Sequence, residues 1–193
     1  MLEQKTVIIE SKADAVPNVD MLILSDYVED RLWPIFNAVK EHIKQGKRIL
    51  AIGDGVKTLI DWGELPGRLG ENNSARIFSE EVEIEVVNKD HLLTKDLNSD
   101  SLLLTVSGTH CRWDLAHGYT AAMENGRILF RYQSKANDIV DVKDETQTVA
   151  GIANEAGNVF GLLFHPERAV DDEIGNTDGR GIFTSMMMEL QTA

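Results

Sequence analysis

Apolar runs alternate with amphipathic stretches along the first third of the chain. Three short segments predict strands buried on both faces, as in parallel sheets: residues 5–10, 20–24 and 48–52. Residues 32–45 predict a helix, because Ile35, Val39 and Ile43 fall on one stripe of its surface. Residues 56–62 predict a second helix, which ends at a glycine. Strands and helices in this order indicate an α/β sheet with right-handed crossovers.

The spacing of apolar residues is different in the second half of the chain. Residues 77–87 alternate valine or isoleucine with glutamate, which predicts a half-exposed, antiparallel strand. Further strands are expected over residues 101–106, 127–132, 149–153 and 159–164, the last two as a hairpin. Residues 181–190 predict a closing helix. We expect a three-layer α/β sandwich with a mostly parallel central sheet and an antiparallel extension, folded as a single domain over residues 1–193.

Composition narrows the classes of function. The net charge of −13 argues against nucleic-acid binding, because no basic patch offsets the repulsion of phosphates. No apolar run reaches the roughly 18 residues that a membrane span needs, and the N-terminus does not read as a signal peptide. One cysteine, Cys111, excludes an internal disulfide. We therefore expect a cytoplasmic protein that does not bind membranes.

Two segments carry candidate chemistry. Residues 161–170 read Gly-Leu-Leu-Phe-His-Pro-Glu-Arg-Ala-Val, and residues 49–57 read Ile-Leu-Ala-Ile-Gly-Asp-Gly-Val-Lys. The first resembles the His-Pro-Glu element of class I glutamine amidotransferases, whose fold is flavodoxin-like. The second resembles the strand-to-helix turn that carries their cysteine nucleophile. The resemblance implies that His165 is a base, that Glu167 orients it, and that Gly53 stands where the nucleophile belongs.

Further segments sharpen the resemblance. Residues 175–179, Gly-Asn-Thr-Asp-Gly, follow the His-Pro-Glu element as in the glutaminase subunit of phosphoribosylformylglycinamidine synthase, an enzyme of purine biosynthesis. Residues 46–50, 65–67, 72–74 and 149–159 are also similar to that family. In the family, glutamine is hydrolysed through a cysteinyl thioester and ammonia passes to a synthetase partner.

The differences between this sequence and the family pattern lie mainly in the segments that would form the active site. Glycine has no side chain to attack an amide, so Gly53 predicts a protein that has lost glutaminase chemistry. The family's oxyanion loop corresponds to Leu24-Ser25-Asp26, where an acidic side chain has the wrong sign for a developing oxyanion. The resemblance therefore predicts a binding or regulatory module, with Asp54, Gly55, Ser25 and Asp26 as candidate ligand-binding residues.

Alternatives remain open. A register slip of one residue would make Asp54 the nucleophile, and Cys111 lies next to His110, which invites a nucleophile hypothesis. Either residue, or His165, would then serve a repurposed pocket in an active hydrolase or amidotransferase. Adjacent residues of an extended chain point to opposite faces, which places His110 poorly as a base for Cys111.

The sequence and its resemblance to the family also predict ligands and partners. The histidines show no metal-ligand spacing, and the acidic residues 171–173 with Asp178 are expected to form a solvated loop, so no metal and no cofactor are expected. A small-molecule ligand is possible. The implied partner resembles the large subunit of phosphoribosylformylglycinamidine synthase.

Overall fold

The computed structural model describes residues 6–9, 15–25, 35–71, 78–115, 118–133, 140 and 142–192. One sheet of nine strands dominates this part of the chain, and a separate two-stranded ribbon lies beside it. The single domain expected for residues 1–193 stays a prediction.

Four strands form the parallel part of the sheet. They are β1 (Thr6–Ile9), β2 (Met21–Leu24), β3 (Arg48–Ile52) and β10 (Val159–Leu162), in that spatial order. Strands β3 and β10 are buried almost without interruption. Other parts of the protein therefore cover both faces of these strands. This explains why their sequences are unbroken apolar runs, as the sequence analysis predicts.

The antiparallel part continues outward from β10. Its strands, in spatial order, are β9 (Val149–Ala153), β8 (Ile128–Tyr132), β5 (Phe78–Val86), β6 (Ser101–Gly108) and β11 (Phe164–His165). Each pairs antiparallel with its neighbour. The α/β class is confirmed, and so is the combination of a parallel part with an antiparallel extension: among the described residues the sheet is mixed, with three parallel and five antiparallel pairings. The antiparallel part begins at the turn over residues 154–158, which reverses the chain direction next to β10.

Helices α1 (Phe36–Lys44) and α2 (Gly55–Asp61) both contact β3. Helices α3 (Tyr119–Glu124) and α4 (Arg180–Thr192) follow later in the chain. The helix expected over residues 32–45 begins, within the described residues, at Phe36; residues 32–34 lie outside them. Gly46 and Gly63, with φ of 74° and 79°, end α1 and α2, because glycine adopts left-handed backbone angles without steric cost.

The two-stranded ribbon consists of β4 (Arg68–Glu71) and β7 (His110–Asp114). The indole N–H of Trp113 donates to the carbonyl of Pro66 at 2.9 Å, which ties the ribbon to the segment that follows α2. Trp113 is fully buried and its ring lies against Gly161 of β10. The ribbon therefore packs on the central strands.

The sheet curls until its far edge returns to its middle. Strand β10 lies between β3 and β9, whereas β11, which starts two residues after β10 ends, pairs with β6 at the sheet edge. Leu163 occupies the bend, and its N–H donates to the carbonyl of Ala150 at 2.9 Å. The curl carries the His-Pro-Glu segment back towards the carboxyl end of β3.

Candidate active site

The turn between β3 and α2 is a tight strand-to-helix elbow, residues 53–55. Gly53 has φ of 55°, and its N–H donates to the carbonyl of Leu162 at 2.8 Å. Its own carbonyl accepts from the N–H of Val56 at 3.1 Å, which begins the helix. A left-handed angle at this position favours glycine over residues with a side chain.

The start of α2 lies directly against the end of β2. A Cβ placed on Gly55 would lie 2.1 Å from the carbonyl oxygen of Leu24 and 3.3 Å from the nitrogen of Ser25. No side chain fits there, so glycine is required for this approach. The contact brings exposed Ser25 beside the elbow. Asp26, the other predicted residue of this loop, lies outside the described residues.

His165 faces the elbow from the curled edge of the sheet. A Cβ placed on Gly53 would lie 2.9 Å from Cε1 and 3.0 Å from Nε2 of His165. The imidazole therefore lies directly over the main chain of Gly53. The structure brings together the two positions that the resemblance paired, although they are more than a hundred residues apart in sequence.

Glu167 orients the imidazole from the opposite side. Nδ1 of His165 and Oε1 of Glu167 are 2.7 Å apart. An ionised carboxylate only accepts hydrogen bonds, so the Nδ1–H donates to it and Nε2 is the ring nitrogen that faces the elbow. His165 is largely buried, at 15% side-chain exposure, whereas Glu167 is 45% exposed. This is the geometry of a base with its orienting acid.

Asp54 lies at the same elbow but is directed elsewhere. Its side chain is exposed, and Oδ1 would lie 3.6 Å from a Cβ on Gly108, at the end of β6. Of the two elbow glycines, Gly53 is the one whose added Cβ would touch the imidazole of His165. The elbow is thus bordered by Gly108, Ser25 and the His165–Glu167 pair.

Cys111 is fully buried in β7. Its carbonyl accepts a hydrogen bond from the hydroxyl of Tyr132 at 2.8 Å, and burial raises the pKa of that hydroxyl well above its ordinary value. His110 is half-buried, on the opposite side of the strand from Cys111, and its Nδ1 lies 3.1 Å from Oγ1 of Thr109. The thiol therefore has no surface that a substrate can reach.

The acidic loop of residues 171–178 has structural contacts. The carboxylate of Asp171 accepts from the N–H of Glu173 at 3.0 Å, and that of Asp178 accepts from the N–H of Leu103 at 2.7 Å. Among the described residues, no group of three or more histidine, cysteine, aspartate or glutamate side chains could hold a metal ion. Sequence reasoning missed the contact of Asp178 with β6, because Asp178 and Leu103 are 75 residues apart in the sequence.

No helix in the described part of the chain is long and apolar enough to cross a membrane.

Known proteins share this architecture. The PurQ subunit of phosphoribosylformylglycinamidine synthase from Rhizobium meliloti is 32% identical over 184 residues, covering 89% of this chain and 81% of that protein. PurQ from Prochlorococcus marinus is 30% identical over 203 residues, covering 97% and 88%. The structure of PurLQS from Thermotoga maritima matches with a TM-score of 0.74 and 27% identity, covering 92% of this chain and 82% of that chain.

A more distant neighbour shares the fold alone. The glutaminase domain of Trypanosoma brucei CTPS, with bound acivicin, has a TM-score of 0.55 at 9% identity, covering 89% and 72%. Residues 29–186 match the CobB/CobQ-like glutamine amidotransferase domain. With this match over most of its length, and with PurQ relatives at 30–32% identity, the chain belongs to the glutamine amidotransferase family.

Proposed function

We propose that this protein is a glutaminase-like subunit without glutaminase activity, which serves as a binding or regulatory module. The observation that carries the proposal is Gly53 at the elbow, facing the His165–Glu167 pair. A thioester with glutamine requires a thiolate at this point, and glycine supplies no nucleophilic atom. A base and its orienting acid cannot form a covalent intermediate by themselves.

The packing at the elbow supports the same proposal. The imidazole of His165 occupies the volume that a Cβ on Gly53 would enter, with Cε1 at 2.9 Å. A cysteine in this place needs the ring to move away from the main chain. The position of the ring therefore fits glycine at position 53, and the ring would have to move to admit any side chain there.

The proposed partner is a synthetase subunit similar to the large subunit of phosphoribosylformylglycinamidine synthase. The PurQ relatives are named as subunits of that enzyme, and the neighbour from Thermotoga maritima is a PurLQS assembly. The proposed setting is purine biosynthesis in the cytoplasm. Asp54 and Gly55 of the elbow and Ser25 beside it, together with Asp26, which lies outside the described residues, are the proposed ligand-binding residues, for a small molecule without a metal or cofactor.

The first experiment measures ammonia release from glutamine by the purified protein, alone and with the synthetase subunit from the same genome. PurQ from Rhizobium meliloti serves as the positive control. We expect no release above the uncatalysed rate in either case. Turnover by this protein that persists after further purification would contradict the proposal and direct attention to another nucleophile.

Docking is measured separately, by light scattering after size-exclusion chromatography of the protein mixed with that synthetase subunit. We expect a complex, together with synthetase turnover that depends on added ammonia rather than on glutamine. Absence of a complex at micromolar concentrations would contradict the docking role while leaving the loss of glutaminase activity standing.

A second candidate function rests on the intact pair. The 2.7 Å contact between His165 and Glu167 retains the geometry of a general base, which could activate water or a substrate hydroxyl in a repurposed pocket. Asp54, whose side chain is exposed at the elbow, remains the alternative nucleophile of such an enzyme, whereas the thiol of Cys111 is fully buried. A panel of amide and ester probes tests it: turnover that is lost in His165→Ala would favour it, and no turnover of any probe would count against it.

A further inference from the structure

The motif Gly-Asn-Thr-Asp-Gly-Arg, residues 175–180, has no part in the chemistry described above, yet it touches the same edge of the sheet. We call these residues the clasp. Its members contact two places: the backbone of Leu103 in β6, and the turn that carries Glu167. Both contacts bear on how the His165–Glu167 pair is held.

The register of β11 on β6 shows which strand pairing the clasp replaces. Phe164 lies opposite Val106 and His165 lies opposite Thr105. If β11 continued as a strand, Glu167 would lie opposite Leu103, because an antiparallel ladder advances by one residue on each side. The chain instead leaves the sheet after His165 and forms a 3₁₀ turn over Pro166–Arg168. Leaving the sheet is what allows Glu167 to reach Nδ1 of His165.

Side chains of the clasp take the place of the missing strand. The side-chain amide of Asn176 donates to the carbonyl of Leu103 at 2.8 Å. The carboxylate of Asp178 accepts from the N–H of Leu103 at 2.7 Å. The two side chains are themselves joined, since the N–H of Asp178 donates to Oδ1 of Asn176 at 3.0 Å. The backbone donor and acceptor at Leu103 are therefore both satisfied without Glu167.

The clasp also holds the turn itself. The N–H of Gly179 donates to the carbonyl of Ala169 at 2.8 Å, and the guanidinium of Arg180 donates to the carbonyl of Val170 at 2.8 and 3.0 Å. A Cβ on Gly179 would lie 2.0 Å from the carbonyl oxygen of Pro166. The main chain of the clasp is thus pressed against the first residue of the turn.

We propose that Asn176 and Asp178 are positioning residues for the His165–Glu167 pair. By pairing with Leu103 they prevent β11 from extending along β6, and so keep Glu167 turned towards the imidazole. This role goes beyond the proposed function and holds whether or not the pair still serves a reaction.

The test observes the imidazole directly. Long-range ¹H–¹⁵N correlation spectra of the whole protein report which ring nitrogen of His165 carries the proton and whether that proton is hydrogen-bonded. His165→Gln assigns the signals, and Glu167→Ala shows the spectrum of the unpaired ring. In the unmodified protein we expect the Nδ1–H form.

Three clasp variants and one control separate positioning from folding. Asp178→Ala and Asn176→Asp each remove one contact with Leu103, and we expect their His165 signals to move towards those of Glu167→Ala. Asp178→Asn retains an acceptor oxygen for the N–H of Leu103 and should restore the signal of the unmodified protein. Glu173→Gln, an exposed residue of the neighbouring turn, is the matched control and should change nothing.

The outcomes are decisive in either direction. Folded Asp178→Ala and Asn176→Asp proteins with the unmodified His165 signal would overturn the proposal. If Asp178→Ala does not fold, Asn176→Asp alone decides, since it exchanges an amide for a carboxylate of the same size. Thermal unfolding of each variant, followed by circular dichroism, identifies those that are folded at the temperature of the spectra.

Discussion

The imidazole of His165 lies over the main chain of Gly53 so closely that a Cβ at position 53 would be 2.9 Å from Cε1. The closest atoms belong to the outer end of a side chain rather than to backbone, so the ring can move aside if a side chain is introduced. Movement would, however, stretch the 2.7 Å contact between Nδ1 and Glu167. The occupant of position 53 and the geometry of the pair are therefore coupled.

Gly53→Cys should carry a thiol of raised reactivity. A thiol beside an imidazole ionises more readily than an isolated one, and the elbow directs position 53 at His165. We expect alkylation by iodoacetamide at pH 6 to be about tenfold faster in Gly53→Cys than in Gly53→Cys combined with His165→Ala. Mass spectrometry of the labelled peptide locates the adduct. Equal rates in the two variants would show that His165 does not face position 53.

Gly53→Ala should destabilise the fold through two separable effects. The left-handed φ of 55° costs a residue with a Cβ about 1–2 kcal/mol. The contact with the imidazole adds a steric cost, which His165→Ala removes. Urea denaturation of the two single variants and the double variant measures the coupling, which we expect to be about 1 kcal/mol, as for residues in contact. If the losses of stability in the two single variants add up to the loss in the double variant, the ring of His165 does not contact position 53.

Much of this site could be predicted from local sequence. The elbow follows a buried apolar run and carries glycine where the backbone turns left-handed, so both its position and its shape could be inferred. The alternating pattern over β5 likewise predicts an antiparallel strand, and the structure confirms it. In each case the determining interactions lie within a few residues along the chain.

Other parts depend on long-range contacts that no local pattern encodes. The ribbon of β4 and β7 pairs residues about 45 positions apart, and neither strand was expected. The far edge of the sheet also depends on distant residues, because the pairing of β11 with β6 requires the bend at Leu163. The role of Asn176 and Asp178 appears only once that edge is assembled.

Cys111 should be unreactive in the folded protein. Its side chain is fully buried, and its strand is hydrogen-bonded to Tyr132. We expect no reaction with a disulfide reagent such as Ellman's reagent in native buffer and one thiol per chain in denaturant. The same measurement provides the background for the Gly53→Cys experiment. Rapid labelling of the native protein would contradict this prediction and would support Cys111 as a candidate nucleophile.

His91 should make the protein less stable in mild acid. Its ring packs edge-on against Phe160 at 5.3 Å, and burial lowers its pKa from 6.5 to about 4. Between pH 6.5 and 4, His91 binds a proton in the unfolded chain but not in the folded chain. The free energy of unfolding therefore falls as the pH decreases from 6.5 towards 4.

His91→Gln removes this titration and retains an acceptor for the N–H of Leu93, which donates to Nδ1 at 3.3 Å. We expect a flatter dependence of stability on pH in urea titrations of the variant. Some slope of the same sign should remain, because burial also lowers the pKa of His42. An NMR titration of His91 with an ordinary midpoint near 6.5 would contradict the prediction.

Gly179→Ala should be among the more damaging single-methyl additions to this chain. The new Cβ would lie 2.0 Å from the carbonyl oxygen of Pro166, and no rotamer change can relieve a clash with backbone. We expect a loss of about 1–3 kcal/mol in urea denaturation, as for other overpacked sites. Gly118→Ala is the matched control, because Gly118 has an ordinary φ of −85° and its added Cβ would meet no described atom within 4 Å; alanine at this helix start should cost less than about 1 kcal/mol. A Gly179→Ala protein as stable as this control would mean that the clasp does not press on the turn carrying Glu167.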